Sequence, residues 1–149
     1  MQSQPSDPGE LIRYLKLVQE PGGFELLILR AHLLAEEKLR QIVRDGLPHP
    51  EHLEDRTLGF SQNLMLAKCL HWTEEKDWIW ECLKLLNGVR NTMAHNLLAA
   101  KEEALREKMD RLDLLVGKHS GVPMPSNLGP SAQRLHWRLA SLYAEIAKL

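Results

Sequence analysis

Apolar side chains recur at steps of three and four residues along most of this 149-residue chain. The clearest stripe runs through the segment 24–44 and consists of six residues: Phe24, Ile28, Ala31, Ala35, Leu39 and Ile42. This spacing fits the 3.6-residue period of an amphipathic helix, whereas a half-buried strand would alternate every two residues. No segment shows a convincing two-residue alternation. The sequence therefore predicts an all-α fold.

Cap and stop residues divide the chain into about five to six helices, and we predict one helical domain over residues 1–149. The predicted helices cover residues 8–20, 24–44, 58–71, 74–98, 101–116 and 131–149. Thr73 is expected to cap the fourth helix and Gly117 to end the fifth. Residues 118–130 are rich in proline and glycine and predict an extended loop, because too little chain follows it for a second domain. The last helix carries a leucine seam that predicts packing on the bundle or on a second copy of the chain.

The composition of the chain limits which binding partners, such as a membrane or RNA, are expected. Hydrophobic residues make up 44% of the chain and charged residues 26%, as in ordinary globular proteins. No apolar run approaches the roughly 20 residues that span a bilayer, so we expect no membrane partner. The two cysteines, Cys69 and Cys82, lie in predicted helices, which favours reduced thiols and a cytoplasmic location. The net charge of −1 offers no global basic field, so RNA would have to bind to a local patch.

Arg90 is the residue that fits its surroundings least. It lies in the fourth predicted helix, roughly 20° around the helical wheel from Ile79, beside the apolar arc. A desolvated guanidinium is costly unless it is paired, so Arg90 should either have an acceptor or line a cleft. Glu36, which flanks the stripe of the second helix, is one candidate acceptor. The alternative interpretation is a buried structural ion pair, or a side chain whose stem packs while its charge reaches water.

The residues after Arg90 supply groups suited to phosphate chemistry. Asn91 and His95 are four residues apart and share a face, while His95 lies roughly 140° from Arg90 on an ideal helix. The two could converge through the length of the arginine, a helix distortion near Gly88, or a dimer. Histidine can serve as a general acid or base, arginine binds phosphate oxygens, and Asn91 could orient the imidazole or bind a sugar. Residues 84–95 contain no acidic side chain, so this segment has a local positive character.

The run Arg90-Asn91-Thr92-Met93-Ala94-His95 resembles the Arg-x4-6-His motif of HEPN domains (higher eukaryotes and prokaryotes nucleotide-binding). The overall pattern is similar over residues 24–116. The resemblance implies a HEPN-like bundle that acts as a dimeric, metal-independent endoribonuclease without a cofactor. Arg90 would bind the scissile phosphate, His95 would perform acid–base catalysis with Asn91 beside it, and Glu36 and Asn87 would support them.

By the same resemblance, the partners would be an RNA substrate, a second copy of the chain and a cognate antitoxin protein. The chain would then be the toxin or effector of a prokaryotic toxin–antitoxin or defence system. The alternative is a non-catalytic interaction or transcription-regulatory module on the same scaffold, similar to mannitol-repressor-type regulators.

Two other groups of residues contain side chains that could bind a ligand. The segment 49–52 holds two histidines and a glutamate, but a proline-containing connector is more often solvated than metal-binding. The tryptophans at 72, 78 and 80 could stack on bases, although aromatic residues at a helix start more often complete a core or an interface.

Overall fold

The computed structural model describes residues 9, 12, 14, 24–54, 58–95, 102–127 and 131–149, and this part of the chain is helical without a strand. Its five long helices are α1 (Phe24–Gly46), α2 (Phe60–His71), α3 (Asp77–His95), α4 (Glu102–His119) and α5 (Ser131–Ile146). Two short 3-10 turns, Pro50–His52 and Glu74–Lys76, precede α2 and α3. The predicted all-α bundle is confirmed. The predicted helix over 8–20 lies outside the described residues, apart from three helical positions at 9, 12 and 14.

The apolar face of α1 is slightly rotated from the predicted stripe. Seven of its residues are buried: Leu27, Ile28, Ala31, His32, Ala35, Leu39 and Val43. Phe24, which was expected to be in the core, is 40% exposed, and Ile42 is only partly buried. The helix ends at Gly46, two residues beyond the predicted segment 24–44. A side chain at Gly46 would meet Leu70 of α2, so the glycine also allows the two helices to approach closely.

The third helix is central, since α3 packs against all four of the others. At one end of α2, Ser61 bonds to Asn87, and at the other end Lys68 lies 3.8 Å from Asp77. These two contacts show that α2 and α3 run antiparallel. Among the described helices, none is both long enough and apolar enough to cross a bilayer.

The start of the fourth predicted helix differs from expectation. Thr73 makes no side-chain capping bond, and the residues after it form a 3-10 turn rather than an α-helix. The α-helix begins three residues later than predicted, at Asp77. The Asp77 carboxylate accepts a hydrogen bond of 2.8 Å from the indole nitrogen of Trp72. A carboxylate in the first turn of a helix is favourable, and here it also ties the preceding loop to α3.

The predicted helix stop at Gly117 is wrong, because α4 continues through it to His119. The glycine instead makes room for α5: a Cβ at this position would lie 2.8 Å from Nη2 of Arg138. The Arg138 Nε atom donates a 2.8 Å hydrogen bond to Asp113, one turn before Gly117 on α4. Gly117, which the sequence suggested as a helix end, therefore allows the contact between α4 and Arg138 of α5.

The C-terminal helix is enclosed by the bundle. All eight residues from 139 to 146 are buried, although only some of them belong to the predicted leucine seam. Helix α5 packs against α1, α3 and α4, and the Tyr14 ring lies 5.3 Å from that of Tyr143. Of the two predicted arrangements, packing on the bundle is therefore the one observed. In the predicted 118–130 loop, residues 120–127 are irregular, and 128–130 lie outside the described part.

Candidate functional site

The predicted site residues lie in the last two turns of α3. Arg90 is half-buried, Asn91 is exposed, and Nη1 of Arg90 donates a 3.3 Å hydrogen bond to the side-chain oxygen of Asn91. His95 is the last residue of α3, and its side chain lies outside the described part, as does the segment 96–101. Helix α3 is continuous through Gly88, so a break in the helix does not bring Arg90 and His95 together.

Arg90 is not paired with the expected carboxylate. Glu36 binds Arg40 instead, at 2.9 Å, in the i,i+4 geometry that stabilises an exposed helix face. Within the described part of the chain, Arg90 forms no ion pair, and its hydrogen bond to Asn91 uses one of five N–H donors. The guanidinium therefore keeps donors and charge for an external anion.

A buried polar network lies one turn before Arg90. His32 of α1 is 6% exposed, and its Nε2 atom is 2.9 Å from Oδ1 of Asn87. The amide nitrogen of Asn87 in turn donates to the hydroxyl of Ser61 at 3.2 Å. Because Asn87 uses its oxygen as the acceptor, the His32 Nε2 atom carries the proton. The network links α1, α2 and α3, and it contains Asn87, one of the supporting residues predicted from the sequence.

The surroundings of His32 keep it neutral. Burial lowers the pKa of His32 below its usual value, and the Arg90 guanidinium acts in the same direction. The hydrogen bond to Asn87 and the Glu36 carboxylate oppose this, with a smaller effect than burial. The imidazole stacks on Phe60, with ring centroids 4.3 Å apart. Arg90 and Glu36 thus do not pair with each other, but both lie close enough to influence the same histidine.

His32 was not among the predicted site residues, although the sequence contained a signal for it. It occupies the buried face of α1 between Ile28 and Ala35, where a polar residue needs a partner. The same criterion that singled out Arg90 on α3 would have identified His32 on α1. Ser61 gave no such signal, because an exposed serine near a helix start is common.

The opposite face of α3 is anchored to α4. The Thr92 hydroxyl donates to the backbone oxygen of Gly88 at 2.8 Å and accepts a 3.3 Å bond from the Lys108 ammonium. The Lys108 side chain also packs over Gly88, which has no side chain in its way. The turns that carry Arg90 are therefore held on two sides, by the His32 network and by Lys108.

An open groove of about 470 Å³ runs between α2 and α3 and ends at Ser61 and Asn87. Met65 and Trp80 contribute apolar lining, and its charged residues balance: Lys68 and Lys84 against Asp77 and Glu81. The groove leads along α3 towards Arg90, one turn beyond Asn87. Arg90 itself does not line the groove.

The other sequence candidates have structural roles or are exposed. In the 49–52 segment, His49 and Glu51 form an exposed pair at 3.1 Å, and nowhere in the described part do three or more potential metal ligands cluster. Trp78 and Trp80 are buried, while Trp72 is exposed and binds Asp77.

Both cysteines are free. Cys69 is exposed, and burial raises the pKa of the Cys82 thiol to about 12, so this thiol stays protonated.

The chain was compared with protein-family models, with curated proteins and with solved structures, and none of them matches it.

Proposed function

We propose that this chain is a HEPN-like endoribonuclease that cleaves RNA without a metal ion and acts as a homodimer. Arg90 binds the scissile phosphate, His95 performs acid–base catalysis, and Asn91 assists them. The proposed biological role is that of a toxin or effector in a prokaryotic toxin–antitoxin or defence system, with a cognate antitoxin as partner. Such an enzyme would meet its RNA in the cytoplasm.

The observation that carries this proposal is the state of Arg90. It is a half-buried arginine beside an apolar stripe, and no carboxylate neutralises it within the described part of the chain. Because no carboxylate neutralises it there, this guanidinium can bind an external anion. A phosphate matches the planar fork of arginine donors and can bind to two of them at once.

The proposed reaction needs only side chains. A base removes the proton of the ribose 2′-hydroxyl, the oxygen attacks phosphorus, and the bond to the 5′-oxygen breaks as that oxygen receives a proton. The products are a 2′,3′-cyclic phosphate and a 5′-hydroxyl. Arg90 would stabilise the additional negative charge on the phosphorane. One histidine cannot remove one proton and deliver another at the same time, so a second His95 from a partner subunit fits the chemistry.

An exposed apolar stripe on α1 supports the homodimer. Leu26, Leu29 and Leu33 lie on one face of the helix and are 37%, 41% and 63% exposed. The same helix carries His32, whose titration is influenced by Arg90. Exposed apolar stripes of this kind often mark protein interfaces, and a second copy seated here would lie near the candidate site.

The test is cleavage of a single-stranded RNA by the purified chain in the presence of EDTA. We expect wild type to cut, and His95→Ala and Arg90→Ala to cut more slowly by about 10²- to 10⁴-fold, the usual contribution of a general acid–base group. His52→Ala is the matched control, because His52 is an exposed histidine distant in sequence from the motif. Equal loss of RNA with wild type and His95→Ala would refute the proposal. The same variants should relieve growth arrest in cells that express the chain.

A non-catalytic interaction or regulatory module is the second candidate. The α1 leucines favour it, because they would serve a protein partner equally well without any RNA chemistry. This alternative predicts RNA that stays intact and growth that does not depend on His95.

A further inference from the structure

We infer that His32 is a positioning residue for the candidate site: through Asn87 it fixes the part of α3 that presents Arg90 and Asn91. This inference rests on the proposed function, since it assigns a role in the same reaction. His32 itself is 6% exposed, which leaves little of its side chain open to a substrate. Its effect must therefore pass through its neighbours.

The geometry of the network gives His32 this role. The Nε2–H donor of His32 lies 2.9 Å from Oδ1 of Asn87, and the hydroxyl of Ser61 accepts the amide hydrogen at 3.2 Å. Both ends of the Asn87 side chain are therefore held, one by α1 and one by α2. Asn87 precedes Arg90 by three residues and Asn91 by four, so all three share one side of α3.

The position of the network along α3 makes it important. Val89 is the last fully buried residue of the described part of α3, so apolar packing holds the final turn less firmly than the earlier ones. The His32–Asn87 bond joins α1 to α3 one turn before Arg90. Displacement of catalytic groups by about 1 Å can slow an enzyme roughly 100-fold, so a contact that fixes this turn should influence the rate.

The donor must also be uncharged. The groups that face the imidazole are Glu36 on its own helix, Phe60 on α2, and Asn87 and Arg90 on α3. A protonated imidazole would place a second positive charge next to Arg90 in a buried setting. A neutral donor of similar reach should therefore be able to replace His32, whereas an aromatic ring without a donor should not.

Three variants test this role. His32→Phe preserves the ring over Phe60 but removes the donor, and we expect its kcat to fall by about 10-fold or more. His32→Gln can place an amide N–H near the same position, and it should recover most of the lost kcat. His32→Phe/Asn87→Leu removes both polar partners, so its Tm should recover towards the wild-type value, while kcat stays low. His52→Phe, on an exposed histidine, should behave like wild type.

The outcomes separate this inference from the proposed function. If wild type does not cleave RNA, the proposed function fails, and the role of His32 fails with it. If wild type cleaves and His32→Phe cleaves equally fast, the role of His32 alone is refuted. A double variant that regains both Tm and kcat would show that the network only stabilises the fold, and a His32→Gln variant as slow as His32→Phe would show that donation to Asn87 does not matter. If His32→Phe does not fold, the His32→Gln and double variants still decide the question.

Discussion

Helix α5 and the end of α3 are held in opposite ways. In α5, eight consecutive residues from 139 to 146 are buried, and three other helices surround them. Among the described side chains in the last two turns of α3, Val89 alone is buried, Met93 packs against the core while partly exposed, and Thr92 accepts a hydrogen bond from Lys108. Apolar packing thus dominates in α5, while the segment with the candidate site depends more on polar contacts, including the His32–Asn87 bond one turn before Arg90.

The two regions should therefore contribute to different properties of the protein: α5 to folding stability, and the end of α3 to the orientation of the site residues. A residue enclosed in α5 contributes mainly through the area that it removes from water, which does not depend on its orientation to a ligand. Near Arg90, directional hydrogen bonds set the orientation of side chains, and they contribute little net free energy of unfolding. Substitutions in α5 should therefore lower stability, and substitution of the half-buried Arg90 should change function at nearly constant stability.

The largest expected effect is on stability, from Leu142→Ala in α5. Leu142 is 2% exposed, and truncation of a buried leucine lowers the free energy of unfolding by about 2–5 kcal/mol. Urea denaturation monitored by circular dichroism measures it. Leu114→Ala, on a leucine that is 60% exposed, is the control and should change the free energy of unfolding very little. Similar losses in both variants would show that α5 is not enclosed as described.

A smaller effect is expected from pH, through His32. Because burial lowers the pKa of folded His32 below the usual 6.5, the unfolded chain takes up a proton more readily as the pH falls. The contribution of His32 to stability is therefore complete above about pH 6.5 and is lost below it, with about 1.4 kcal/mol for each unit by which the pKa is lowered. Urea unfolding at pH 7.5 and pH 5.5 should show a larger decrease for wild type than for His32→Gln. Equal decreases would mean that His32 titrates normally in the folded chain.

The smallest expected effect on stability comes from Arg90→Ala. Had Arg90 formed a buried ion pair, its removal would cost on the order of 3 kcal/mol by leaving a carboxylate unpaired. Since Glu36 pairs with Arg40 instead, we expect the free energy of unfolding to change by less than about 1 kcal/mol. A thermal melt beside the cleavage assay measures both quantities. A large loss of stability would show that Arg90 has a structural role. The end of α3 would then resemble α5 in its contribution to stability.

Much of the fold could be predicted because helical periodicity is a local property. The predicted segment 24–44 corresponds to α1, Phe24–Gly46, and the end of α2 at His71 was also predicted. The helix end predicted at Gly117 was wrong, because a glycine within a helix can also be required where a residue far along the chain packs against it. The occupant, Arg138, is twenty-one residues further along the chain, and local pattern contains no information about it.

The candidate site was predicted in part for the same reason. Arg90 was identified because it interrupts an apolar stripe, and it is indeed half-buried. The expected pair of Arg90 and Glu36 is not observed. Arg40, one turn further along the same helix, binds the Glu36 carboxylate instead. The link between His32 and Asn87 joins residues fifty-five positions apart and depends on how α1 and α3 pack.

The contact of Arg138 with Asp113 over Gly117 also bears on how the chain chooses its alignment during folding. Apolar helices can often slide along one another by a turn at modest cost. A slide of α5 in one direction would carry Arg138 into the enclosed position of Leu142, and a slide in the other would place Leu142 against the Asp113 carboxylate. The first misalignment would bury the Arg138 charge without its partner, which is unfavourable. The second would separate Arg138 from Asp113, whose side chain is half exposed, and would cost less. One glycine and one ion pair thus favour the observed alignment of the helix that completes the core.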